Sequence, residues 1–154
     1  GAEGPEKRPT GPERGRRTGP IPILVVDDNM DSAESLALLL RMQGHQVRTA
    51  HDGPEALRML GLFRPALILL DLGLPGMSGY DVARRIRESP VLRGVRIAAL
   101  TGWGQDQDRR RTREAGFDDH LVKPANPLDI ERIVAEVDRN RLPAAETDRP
   151  PAEG

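Results

Sequence analysis

Short runs of wholly apolar residues alternate with longer segments that are apolar on one face only. Repeated five times, this alternation leaves the chain few folds to choose from. Ile21–Val26 and Ala66–Leu70 are apolar almost throughout, as in strands covered on both faces, and Pro22 is acceptable at a strand start. Met30–Gln43 carries Ala33, Leu36, Ala37 and Leu40 at helical spacing and stops at Gly44. Gln46–Ala50 reads as a short edge strand, and Asp52, Gly53 and Pro54 open a second helix bearing Ala56, Leu57 and Leu60. A loop with Gly73, Pro75, Gly76 and Gly79 leads into a helix over about 78–88, followed by a strand over Val95–Leu100. Gln105–Ala115 has helix-forming residues but almost no apolar face, and Asp119–Val122 is a fifth strand. Asn126 as cap and Pro127 in the first turn start the last helix, with Ile130, Ile133, Val134 and Val137 on its stripe. Five strand–helix units predict an α/β domain: a flavodoxin-like, doubly wound five-stranded parallel sheet of order 2-1-3-4-5, with helices on both faces.

The flanks differ from this middle. Much of the chain's complement of 16 glycines and 14 prolines falls in residues 1–20 and 143–154, among polar groups. Such segments bury too little apolar surface to offset chain entropy, so residues 1–20 are expected to be a disordered linker, 21–142 the folded domain and 143–154 a disordered tail. The chain opens on Gly and is expected to be a piece of something longer. A formal net charge of −1 and a pI near 6.4 argue against nucleic acid or an anionic membrane as the main partner. Zero cysteines exclude disulfides, thiolate zinc sites and cysteine nucleophiles. The longest apolar run is far too short to cross a bilayer and no signal-like segment is present, which predicts a cytoplasmic protein.

Four of the five strands end in reactive polar residues: Asp27 and Asp28, Asp71, Thr101, and Lys123. Ligands of doubly wound sheets bind at the carboxyl ends of the strands, near the point where strand order reverses. With order 2-1-3-4-5, strands 1 and 3 are neighbours, so Asp27, Asp28 and Asp71 must crowd together with Thr101 and Lys123 beside them. Lys123 is one of two lysines among 23 basic residues. A compact ammonium on a flexible stem suits contact with a single oxygen in a tight pocket, where a planar guanidinium does not fit. Three neighbouring carboxylates repel one another unless a cation sits among them, and oxygen-only ligands point to Mg²⁺. The implied chemistry is phosphoryl transfer to a carboxylate, giving an acyl phosphate.

These residues resemble the response-regulator receiver domain of two-component signalling. The matching stretches are ILVVDDN (23–29), LILLDLGLPGMSGYD (67–81), AALTGWG (98–104) and HLVKPAN (120–126). The resemblance implies that Asp71 is the phosphorylated aspartate, fed by a phosphohistidine on a histidine kinase or histidine phosphotransfer domain. It implies that Asp28 and the Gly73 backbone carbonyl bind Mg²⁺ directly, with Asp71, and Asp27 largely through water. Thr101 would bind the phosphoryl group and shift on activation, Lys123 would pair with that group, and the Lys123–Pro124 bond would be cis. Such a domain catalyses only its own phosphorylation and dephosphorylation and is not otherwise an enzyme. Two positions depart from the commonest pattern. His120 stands where the family usually carries a Tyr or Phe that turns inward as the threonine moves. Trp103, two residues past Thr101, is bulky where water would approach a phosphoryl group, and is expected to slow its loss.

The polar segment with Arg109, Arg110, Arg111 and Arg113 gains little from packing and is expected to be marginal beside Thr101, which suits a two-state switch. The stretch GQDQDRRRTREAGFDDHLVKP looks like receivers attached to hybrid sensor histidine kinases. Two other readings are available. A haloacid-dehalogenase-like phosphatase also uses a strand-end aspartate with Mg²⁺, but carries a second Asp where this chain has Gly73. A receiver-fold interaction module that is never phosphorylated would have no use for the intact acidic set.

Overall fold

The computed structural model describes residues 19–102 and 109–148. Its strands are β1 (Pro22–Val26), β2 (Gln46–Ala50), β3 (Leu67–Asp71), β4 (Arg96–Thr101) and β5 (Asp119–Val122). They alternate with helices α1 (Met30–Met42), α2 (Gly53–Met59), α3 (Gly79–Glu88), α4 (Arg109–Ala115) and α5 (Pro127–Asp148). A short 3₁₀ turn at Pro90–Leu92, which the sequence pattern did not announce, precedes β4. All pairings are parallel and the order is β2-β1-β3-β4-β5, as the alternation of elements required.

Side chains of the central strands alternate between two faces, because successive residues of a strand point to opposite sides. Leu24, Val26, Ile68, Leu70, Ile97 and Ala99 pack beneath α2, α3 and α4 with Ala56, Val82, Ile86 and Phe117. Ile23, Val25, Leu67, Leu69, Ala98 and Leu100 face the other way, against Ala33, Ala37 and Leu40 of α1 and Ile130, Ile133, Val134 and Val137 of α5. Burial on both sides explains why β1 and β3 read as continuous apolar runs.

Helix starts follow side-chain capping. Asn29 accepts from the Ser32 N–H, Asp52 from Glu55 and Ser78 from Asp81, each satisfying a donor that the first turn leaves without a partner. Asn126 accepts from the Leu128 N–H at 2.8 Å, and Pro127 follows as expected. α1 ends at Met42, and Gly44 takes φ +99°, the left-handed region that glycine enters freely. One expectation changes. α5 continues to Asp148, so residues 143–148 extend the helix instead of starting a tail, in keeping with the helix-favouring Ala144, Ala145 and Glu146. α4 is described over Arg109–Ala115, and it is anchored through buried Thr112 and Ala115 and a guanidinium stack of Arg111 on Tyr80, 4.0 Å from the ring centroid. Residues 1–18, 149–154, the start of the Gln105 segment and Trp103 lie outside the described residues.

Candidate functional site

Register decides which strand-end residues meet. β1 and β3 pair Val26 with Leu70, so Asp27 and Asp71, each one residue further on, emerge side by side. β3 and β4 pair Asp71 with Leu100, and β4 and β5 pair Thr101 with Val122, which brings Thr101 and Lys123 to the same rim. The backbone N–H of Lys123 donates to the Thr101 carbonyl at 2.7 Å, and the Lys123–Pro124 bond is cis.

Asp27, Asp28 and Asp71 each offer a carboxylate oxygen, and these atoms all lie within 4.8 Å of one another. Asp27 and Asp71 are buried and Asp28 is exposed. Lys123 holds the two buried acids: its Nζ lies 3.1 Å from Asp27 Oδ2 and 3.2 Å from Asp71 Oδ2. The other oxygen of each buried acid accepts a backbone N–H, from Asn29 at 2.9 Å for Asp27 and from Gly73 at 2.8 Å for Asp71. Those two N–H contacts were not legible as spacing, although each is the i to i+2 turn that an aspartate at a strand end commonly makes.

Electrostatics follow from this geometry. Burial pushes the Asp71 carboxyl above the ordinary aspartate range, against the opposing pull of the Gly73 N–H and Lys123, and the Asp27 charge adds to the rise. Burial disfavours the Lys123 ammonium, but the hydrogen bond from it to Asp27 and the charges of Asp71 and Asp27 outweigh that and hold its pKa above the usual lysine value. The two buried carboxylates share one ammonium, with Asp28 beside them. The donor set is oxygen throughout, with an exposed acid at its mouth, and this fits a hard divalent cation.

The remaining predicted residues differ in exposure. Thr101 is fully buried and its hydroxyl donates to the Leu121 carbonyl at 3.5 Å, toward β5. His120 is half-buried on β5 and borders a pocket that Arg109, Thr112 and Phe117 also line, under α4. Gly73 is exposed and meets Asp71 through its N–H.

Comparison with known proteins agrees with this arrangement. The family model of the response regulator receiver domain matches residues 23–135. The DNA-binding response regulator MtrA of Mycolicibacterium smegmatis is 41% identical over 125 residues, covering 80% of this chain and 54% of MtrA, so the chain spans about half the length of that relative. A putative response regulator from Chloroflexus aurantiacus has TM-score 0.71 at 35% identity, over 77% of this chain and 98% of that one. The receiver domain of sensor histidine kinase PA1611 from Pseudomonas aeruginosa has TM-score 0.68 at 34% identity, over 77% and 97% of the two chains, and was solved with a magnesium ion coordinated in its active site cleft. With the fold, the rim of acids and the extent of these matches in agreement, this chain belongs to the response regulator receiver domain family.

Proposed function

We propose that this receiver is a phosphoacceptor: Asp71 takes a phosphoryl group from a phosphohistidine on a histidine kinase or histidine phosphotransfer domain. The observation that carries this reading is the ammonium of Lys123 set between Asp27 and Asp71, with Asp28 beside them. In the transfer, an Asp71 carboxylate oxygen bonds to phosphorus as the phosphorus–nitrogen bond of the donor breaks, and the imidazole nitrogen keeps the electron pair. The Gly73 N–H and Lys123 fix the carboxylate in place, so little reorientation is needed. Lys123 then balances charge on the phosphoryl oxygens.

Asp28, Asp71 and the Gly73 carbonyl, with Asp27 through water, would hold Mg²⁺. Bound there, it supplies positive charge to the phosphoryl oxygens. Thr101 would leave Leu121 to hydrogen-bond the phosphoryl group, and His120 would move with it as the switch residue. Hydrolysis of the acyl phosphate returns the domain to its starting state, and no other substrate is turned over.

The working boundaries are a linker before residue 21 and a receiver that runs to the end of α5, and a cytoplasmic setting attached to a hybrid kinase is the context we favour. The resemblance to a sensor kinase's receiver supports that context. Among the described residues no helix is long and apolar enough to cross a membrane. The receiver itself is read as making no nucleic-acid contact.

Incubation with Mg²⁺ and acetyl phosphate, followed by intact mass measurement, tests the reading. A phosphate adduct that is absent in Asp71→Asn is expected. No adduct, or an adduct that survives in Asp71→Asn, overturns it, and steady turnover of phosphate esters would make the domain a phosphatase.

A further inference from the structure

At the opposite end of the sheet from Asp71, where the strands begin, six arginines line two adjoining pockets and outnumber the acids there. One pocket at this end is lined by Arg64, Arg96 and Arg141 and by no carboxylate. An adjoining pocket shares Gly94, Val95, Arg96 and Asn140 with it and adds Arg87, Arg93 and Arg113, with Asp118 as its one acid. Two of these arginines are already used within the fold. Arg87 bonds Asp118 at 2.8 Å and three backbone carbonyls, and Arg96 bonds Asp119 at 2.7 Å and Glu136 at 2.6 Å. Arg64, Arg93, Arg113 and Arg141 are exposed and make no ion pair among the described residues.

Four uncompensated guanidinium groups around one groove repel one another, and an anionic occupant would turn that repulsion into attraction. Each guanidinium offers a planar fork that matches a carboxylate with two hydrogen bonds. The groove also has an apolar side: Val91 is 63% exposed and stands on its wall with Pro65 and Val137. We propose that this face binds an acidic peptide segment, its carboxylates on Arg64, Arg93, Arg113 and Arg141 and an apolar side chain against Val91.

A peptide suits the groove better than a nucleic acid. The net charge of −1 gives no general attraction to a polyanion, and the one aromatic ring of the groove, Phe117, is only 4% exposed and offers no face for base stacking. The face is also remote from the phosphoacceptor. β4 separates the two with six residues, roughly 16 Å of extended chain or more, so an occupant leaves the rim of acids open.

The test uses the full chain and a fluorescein-labelled peptide of Glu-Glu-Leu repeats, read by anisotropy, with labelled duplex DNA as a second probe. The peptide is expected to bind at low salt and to weaken steeply as salt is raised. Arg64→Glu with Arg141→Glu should weaken it by about tenfold or more, and the neutral pair Arg93→Gln with Arg113→Gln by a smaller factor. Arg58→Glu, exposed on α2 and lining neither pocket, and Asp71→Asn should bind as the parent does. Thermal melting of each variant checks that it is folded. No peptide binding, equal loss in Arg58→Glu, or tighter binding of the duplex would overturn the proposal.

Discussion

Lys123 Nζ lies 3.2 Å from Oδ2 of Asp71, and that contact joins the end of β5 to the end of β3 across the intervening β4. The same ammonium serves Asp27, so it is the only cation among the described residues that neutralises the buried acids. Replacing Lys123 with Ala leaves two buried carboxylates without it, which should cost about 1–3 kcal/mol in the absence of metal, discounted because the lysine is partly exposed. It also removes a charge that repels an incoming cation. Melting temperature is therefore expected to fall in chelator, and added MgCl₂ should raise it more in Lys123→Ala than in the parent. An equal Mg²⁺ response in the two proteins would count against the acids as the cation's ligands.

Asp71→Asn acts in the opposite sense. It removes one of three crowded negative charges while an amide oxygen can still accept the Gly73 N–H, and Lys123 keeps Asp27. The metal-free melting temperature should rise by about 2–6 °C even though phosphorylation is lost. A clear drop, measured by calorimetry in chelator, would mean that the Lys123 contact outweighs the repulsion.

The rim of acids was legible because its logic is one-dimensional. Strand ends occur at fixed places in the chain, and the crossover rule for parallel strands sets which ends are neighbours. Asp27, Asp28 and Asp71 thus follow from the apolar runs that precede them. The polar networks beneath did not follow. Arg96 reaches Asp119 and Glu136, and Arg87 reaches Gly116, Val95 and Asp118, through side chains whose partners lie on other elements and have no periodic signature. The same holds for Arg111 on Tyr80, which gives α4 an attachment that its mostly polar sequence concealed. The end of α5 was not legible either, because residues 143–154 read as too polar and too rich in Pro to bury a core, whereas Ala144, Ala145 and Glu146 favour a helix that runs on to Asp148.

His45 supplies a pH dependence away from the site. It is buried, and its Nδ1 accepts the N–H of Ile21 at 3.1 Å, which requires the neutral ring. Burial lowers its pKa, with the Asp138 charge opposing in part. The folded state thus holds a proton on His45 less tightly than the unfolded chain, whose value is about 6.5. Stability should therefore be lost as pH falls below about 6.5 and level off once the folded ring itself is protonated. His45→Gln should lack this component. The difference in melting temperature between the two proteins, followed from about pH 7.5 to 5, should change in the variant's favour on acidification. A constant difference would show that His45 titrates alike in both states.

Two buried glycines, Gly79 and Gly53, should respond unequally to a methyl group. A Cβ on Gly79 would collide with the Asp71 carbonyl oxygen and stand 2.8 Å from the Leu72 Cα, both backbone atoms of the turn that follows β3. Backbone there cannot withdraw without moving Asp71, so Gly79→Ala should destabilise by about 3 kcal/mol or more and reduce acetyl-phosphate labelling. A Cβ on Gly53 meets Met77 Sδ at 2.9 Å and Val82 Cγ2 at 3.0 Å. The methionine is flexible, which lets it yield, so Gly53→Ala should cost less, about 1–2 kcal/mol, and leave labelling of Asp71 near the parent level. Urea denaturation of both variants, alongside intact-mass labelling, gives the comparison. Equal destabilisation with labelling intact in Gly79→Ala would mean that the turn after Asp71 can relax, and that its tight approach to α3 does not position the acceptor.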